Sequence, residues 1–115
     1  MSPERRKLNR RHIMFYSRVF DRRTGKFIGY LGNMTLEGLM IISDEPVPVG
    51  QAFSLRIDLP EDIYPKLVLA FDAQSVWCEP DIDPHFYNTG FRLQGVSEED
   101  VALINQIVED YGFRD

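Results

Sequence analysis

Every second residue across positions 53–59 is apolar: Phe53, Leu55, Ile57 and Leu59 alternate with Ser54, Arg56 and Asp58. A period of two sends one set of side chains to one face of an extended strand, where it can be buried, and the other set to water. Shorter runs of the same kind recur, each closed by turn residues. Positions 13–20 alternate, with Ile13, Phe15 and Val19 on one side and Tyr16, Arg18 and Phe20 on the other. The turn at 21–26 has Gly25 available for a positive φ, and positions 27–32 form the returning strand of a hairpin. Gly29 and Gly32 there leave room for a second backbone or a ligand. Positions 39–42 are apolar throughout and read as a buried strand, followed by a Pro/Gly turn at 44–50. Positions 67–78 predict a long strand with Leu69, Phe71, Ala73, Ser75 and Trp77 on one face. After an acidic loop at 79–85, positions 86–93 form the last strand, with Gly90 as a bend beside Phe91.

The period changes only near the end. Val101, Ile104, Ile107, Val108 and Tyr111 recur at helical spacing. Ser97 precedes them as an N-cap, Glu98, Glu99 and Asp100 suit the positive end of the helix dipole, and Gly112 is a natural stop. Six strands followed by one helix predict a mainly β fold: a six-stranded antiparallel β-barrel, which leaves no sheet edge exposed, packed against a C-terminal α-helix. At 115 residues the chain is long enough for one real core, and it holds no internal repeat. No apolar run approaches the roughly 18 residues of a membrane span, and the N-terminus lacks the apolar core of a secretory signal. The single Cys78 has no internal disulfide partner, which suits a cytoplasmic protein, and its place after Trp77 reads as a buried, inert thiol.

The net charge of −5 is unevenly spread. Residues 1–26 carry nine Lys/Arg against Glu4 and Asp21, a balance of +7, while residues 27–115 carry four against sixteen Asp/Glu, a balance of −12. A basic front edge on an acidic body attracts an anion locally while the body repels long polyanions. A small dianion suits that geometry better than duplex nucleic acid.

Residues 1–12 hold most of that edge, in Arg5-Arg6-Lys7-Leu8-Asn9-Arg10-Arg11. The segment has no apolar face, so a flexible basic arm is expected ahead of a barrel domain at 13–115. A guanidinium can donate two parallel hydrogen bonds to a phosphate and stack its flat face on a purine. Arg6 and Arg10, spaced as Arg-x-x-x-Arg with Arg5 beside them, can therefore grip a phosphodiester from two sides. A solvated tail is the ordinary alternative. The polar turn Asn33-Met34-Thr35-Leu36-Glu37-Gly38 is the second candidate. Asn33 and Thr35 share a face if the segment stays extended, their side chains accept or donate, and Gly38 lets the backbone turn while keeping access open. The alternative is an Asx-type turn in which both side chains bond only their own backbone.

Together, Arg-x-x-x-Arg just before the first strand and (Asp/Asn)-x-(Ser/Thr)-x-x-Gly at the end of the second resemble the PilZ domain family. The resemblance extends to the order of six strands, the Val76-Trp77 strand end, Gly90-Phe91 in the last strand and the closing helix. It implies a barrel that binds the bacterial second messenger cyclic di-GMP, with Arg6 and Arg10 on phosphates and guanine, Asn33, Thr35 and Gly38 against a guanine, and Arg5 as a secondary contact. The expected mechanism is ligand-driven ordering of the arm, which makes a surface read by a downstream protein; a statically packed arm is the alternative. The pattern more often has Asp and Ser where this chain has Asn33 and Thr35. Asn33 keeps an acceptor but loses the carboxylate charge, and Thr35 adds a methyl group and stiffens χ1.

No other motif competes. His12 and His85 lack a second His or Cys at ligand spacing, and the Glu79, Asp81 and Asp83 loop lacks the length and glycine of a calcium loop, so no metal is expected. No nucleophile–base arrangement, phosphate loop or dinucleotide fingerprint is present, which argues against an enzyme and against a resident cofactor. Trp77 and the other aromatics read mostly as core. Two rivals remain: a PilZ-like interaction module that binds no nucleotide, and a single-strand nucleic-acid binder, which the acidic body and the lack of an aromatic ladder disfavour.

Overall fold

In a computed structural model, residues 17–60 and 63–111 are described, Tyr111 by its backbone alone. Six strands form in the predicted order: β1 (Arg18–Asp21), β2 (Phe27–Met34), β3 (Gly38–Ser43), β4 (Ala52–Asp58), β5 (Val68–Pro80) and β6 (Tyr87–Gln94), followed by the helix α1 (Glu98–Tyr111). All pairings are antiparallel, and the sheet closes on itself as β1-β2-β3-β6-β5-β4. Closure leaves β1 paired on both sides, to β2 and to β4, so no long strand edge is open.

Alternation fills the interior. Leu55 and Ile57 of β4 are fully buried, as are Val19 of β1, Ile41 of β3 and Leu69 and Ala73 of β5. The expected strand at 13–20 appears as β1 over its last residues, and positions 13–16 lie outside the described residues. The hairpin turn after β1 is held by Asp21, whose Oδ1 accepts from Arg23 N at 2.8 Å, and by Gly25 at φ 75°.

The helix begins as its sequence dictates: Ser97 Oγ accepts from Asp100 N at 3.2 Å, and Glu98, Glu99 and Asp100 occupy the first turn. Leu103, Ile104 and Ile107 enter the core, with Val108 packed at its margin. Side-chain links tie α1 to the segment between β4 and β5. Tyr64 Oη donates to Asp110 Oδ2 at 3.0 Å, and Lys66 Nζ to Asp100 Oδ1 at 2.8 Å.

Two expectations are corrected. β2 does not stop at Gly32 but runs through Asn33 to Met34, whose fully buried side chain continues the core. Trp77 does not join Leu69, Phe71, Ala73 and Ser75 inside: it is 41% exposed. The ladder to β6 slips between Ser75 and Trp77. A bulge adds one residue to one strand, so every side chain beyond it changes face.

Candidate functional site

The turn from β2 to β3 is set by two local bonds and one bond to β6. Thr35 N donates to Gly38 O at 2.8 Å, Glu37 N donates to Thr35 Oγ1 at 3.2 Å, and Leu93 N donates to Glu37 O at 2.9 Å, which ties the turn to β6. Asn33 Oδ1 accepts from Met34 N at 2.9 Å. Met34 points inward and is fully buried, so its neighbours Asn33 and Thr35, both partly exposed, lie toward the outside of the barrel.

An open hollow of about 650 Å³ sits beside this turn, lined by Thr35, Glu37 and Gly38 on one side and Val76, Phe91 and Arg92 on the other. Of the sequence-predicted residues, Thr35 and Gly38 line it, while Asn33 stands next to it on β2. Arg5, Arg6 and Arg10 lie outside the described residues, as does His12. A second hollow of about 210 Å³, beside Phe27 and Pro46, holds none of the motif residues.

Gly38 is required for a reason other than the expected sharp turn. Its φ is not in the positive region that favours glycine. It faces Arg92 across the β3–β6 ladder, and a Cβ at position 38 would land on the Phe91 carbonyl oxygen. The missing side chain lets β6 approach and forms one wall of the hollow. Gly90 plays a related part, since the Trp77 indole occupies the space its Cβ would take.

Two lining residues escaped the sequence reading. Glu37 lies inside the turn motif, between Thr35 and Gly38, at a position the pattern leaves open. Arg92 is the one Lys or Arg between Lys66 and Arg114, and a lone cation in so acidic a stretch was the available signal. Both are exposed, and among the described residues neither is in an ion pair.

The remaining candidates are local. Asp81 Oδ1 accepts from Asn88 Nδ2 at 2.8 Å, and this bond, with the backbone N–H of Asp83, holds the Asp81 carboxyl below its ordinary pKa. His85 Nδ1 lies 3.0 Å from Asp83 Oδ1 at the exposed tip of the same loop. Cys78 is half-buried and accepts a bond from the Thr89 hydroxyl at 3.3 Å. No group of three or more His, Cys, Asp or Glu side chains able to hold a metal occurs among the described residues.

The family model for the PilZ domain matches residues 4–110. The chain belongs to the PilZ domain family. The match spans the arm arginines, the β2–β3 turn, the six strands and nearly all of α1. Among solved structures this PilZ domain is similar to the Bacillus subtilis inhibitor of motility MotI/DgrA, with a TM-score of 0.63 and 14% sequence identity. The similarity covers 81% of this chain and 44% of that one, so this chain spans less than half the length of its structural neighbour. At that identity the likeness concerns the fold. No curated protein matches the chain. Among the described residues of the PilZ domain, no helix is long and apolar enough to cross a membrane.

Proposed function

We propose that this PilZ domain is a receptor for cyclic di-GMP that acts as a signalling adaptor. The observation that carries the reading is the hollow beside Thr35 and Gly38, which opens outward at the turn where the family pattern falls. Its volume is in the range of roughly 300–1,000 Å³ typical of small-molecule sites. Arg6 and Arg10, with Arg5 beside them, supply the phosphate-binding charge, because guanidinium forks match phosphate oxygens in pairs. Ordering an arm costs on the order of 1 kcal/mol per residue, so several charge-assisted bonds must form together. The output is a surface that exists only with ligand in place and is read by a protein partner. A ligand of this kind implies a bacterial, cytoplasmic protein that regulates rather than catalyses.

A second reading has its own observation. Asn33 Oδ1 and Thr35 Oγ1 both accept bonds from neighbouring backbone N–H groups, so part of their accepting capacity is spent within the turn. It favours an interaction module that binds no nucleotide. Titration calorimetry with cyclic di-GMP, beside GMP and cyclic AMP, decides. The receptor gives saturable heat with the cyclic dinucleotide, lost in Arg6→Ala and Arg10→Ala; the interaction module gives none.

A further inference from the structure

We propose that Glu37 and Arg92 form a base-reading pair that selects guanine in the hollow beside the β2–β3 turn; this rests on the cyclic dinucleotide reading above. The groups expected to read the base are partly committed. The Asn33 carbonyl oxygen accepts from Met34 N at 2.9 Å, and Thr35 Oγ1 accepts from Glu37 N at 3.2 Å. Asn33 also lacks the charge of a carboxylate, and it does not line the hollow. Glu37 and Arg92 do line it, and among the described residues they are the charged groups there.

Their backbones are fixed relative to each other. Arg92 is registered opposite Gly38, and the next residue, Leu93, donates its N–H to Glu37 O at 2.9 Å. An acid in the turn and a base on β6 are thus anchored around one opening without closing on each other as an ion pair. Guanine presents complementary groups on two edges. Its N1–H and N2–H₂ donors suit a carboxylate, and its O6 and N7 acceptors suit a guanidinium fork, the commonest specific contact to that base. Adenine offers an unprotonated N1 to the carboxylate and an amino donor where guanine has O6, so it repels the carboxylate and leaves the guanidinium fork only N7. Glu37 therefore supplies in the turn the negative charge that Asn33 does not, and Arg92 supplies the opposing donor.

The test is calorimetric titration of the full chain with cyclic di-GMP and cyclic di-AMP, for the unsubstituted protein, Glu37→Gln, Arg92→Ala and Arg92→Lys. Both side chains are exposed, so thermal melts of the variants are expected to overlay. The unsubstituted protein is expected to prefer cyclic di-GMP, and Glu37→Gln and Arg92→Ala each to lose roughly tenfold or more of that preference. Arg92→Lys, which keeps the charge and loses the fork, restores little of it. Preference kept within about twofold in Glu37→Gln and Arg92→Ala overturns the pair while leaving the receptor reading intact. No heat from the unsubstituted protein overturns the receptor reading and the pair with it.

Discussion

A methyl group at position 38 would collide with the Phe91 carbonyl oxygen, a backbone atom of the neighbouring strand that cannot swing aside. Gly38→Ala is therefore a packing change as much as a change at the turn. Forcing extra volume into a closed ladder costs about 1–3 kcal/mol, and urea unfolding should show that loss. Thr35→Ala sits on the same hollow but removes only one partly exposed acceptor, of the Glu37 N–H. Its cost should stay below about 1 kcal/mol. The pair separates the glycine's two roles. If Gly38→Ala unfolds at the same urea concentration as the parent, the collision with Phe91 is relieved by strand movement and the ladder is looser than its register implies.

The elements were legible wherever one face is buried and nothing interrupts the period. β4 shows this best, with Leu55 and Ile57 inside and Arg56 and Asp58 less buried. The helix was legible from its cap and from Ile104 and Ile107, although Leu103, equally committed to the core, falls between the expected positions. Trp77 was misplaced because a bulge carries no compositional mark: the residues before and after Val76 look like one continuous alternation. Gly38 was found by pattern and misread by cause, since a contact between β3 and β6 joins residues more than fifty positions apart. Glu37 and Arg92 were missed for the same reason, being charges without a motif until the ladder brings them together. Long-range links also hold α1 in place. Lys66 is kept protonated above its ordinary range, chiefly by its hydrogen bond to Asp100, which outweighs the opposing effect of burial, with the charges of Asp100 and Glu99 adding to it. A raised lysine pKa contributes stability that is complete below the ordinary lysine range and disappears as pH climbs through the raised value. Lys66→Gln should therefore flatten the alkaline limb of the stability–pH profile above about pH 10. An unchanged limb would show that the pair with Asp100 is too well solvated to matter.

At the scale of the whole molecule, the division of charge decides which anions can approach. The first 26 residues carry a balance of +7 and the remaining 89 a balance of −12. On the receptor reading, a small dianion needs only the basic segment and Arg92 to offset its two phosphates. A long single strand brings phosphates beyond the reach of any one cluster of cations, and a remainder with a balance of −12 repels them. Screening weakens both the attraction and the repulsion beyond a Debye length of about 8 Å at physiological salt. The two kinds of ligand should therefore respond differently. Cyclic di-GMP carries two phosphates, so its log affinity should fall with log salt at a slope of no more than about two. A nucleic-acid binder would bind single-stranded RNA at low salt with a slope that grows with each phosphate engaged. Fluorescence anisotropy with a labelled single-stranded RNA, run from low to physiological salt beside the dinucleotide titration, should show no saturable RNA binding and a shallow dinucleotide slope. Tight, steeply salt-dependent RNA binding would mean that the basic edge overrides the acidic body, and that the barrel serves a polyanion rather than a messenger the size of its hollow.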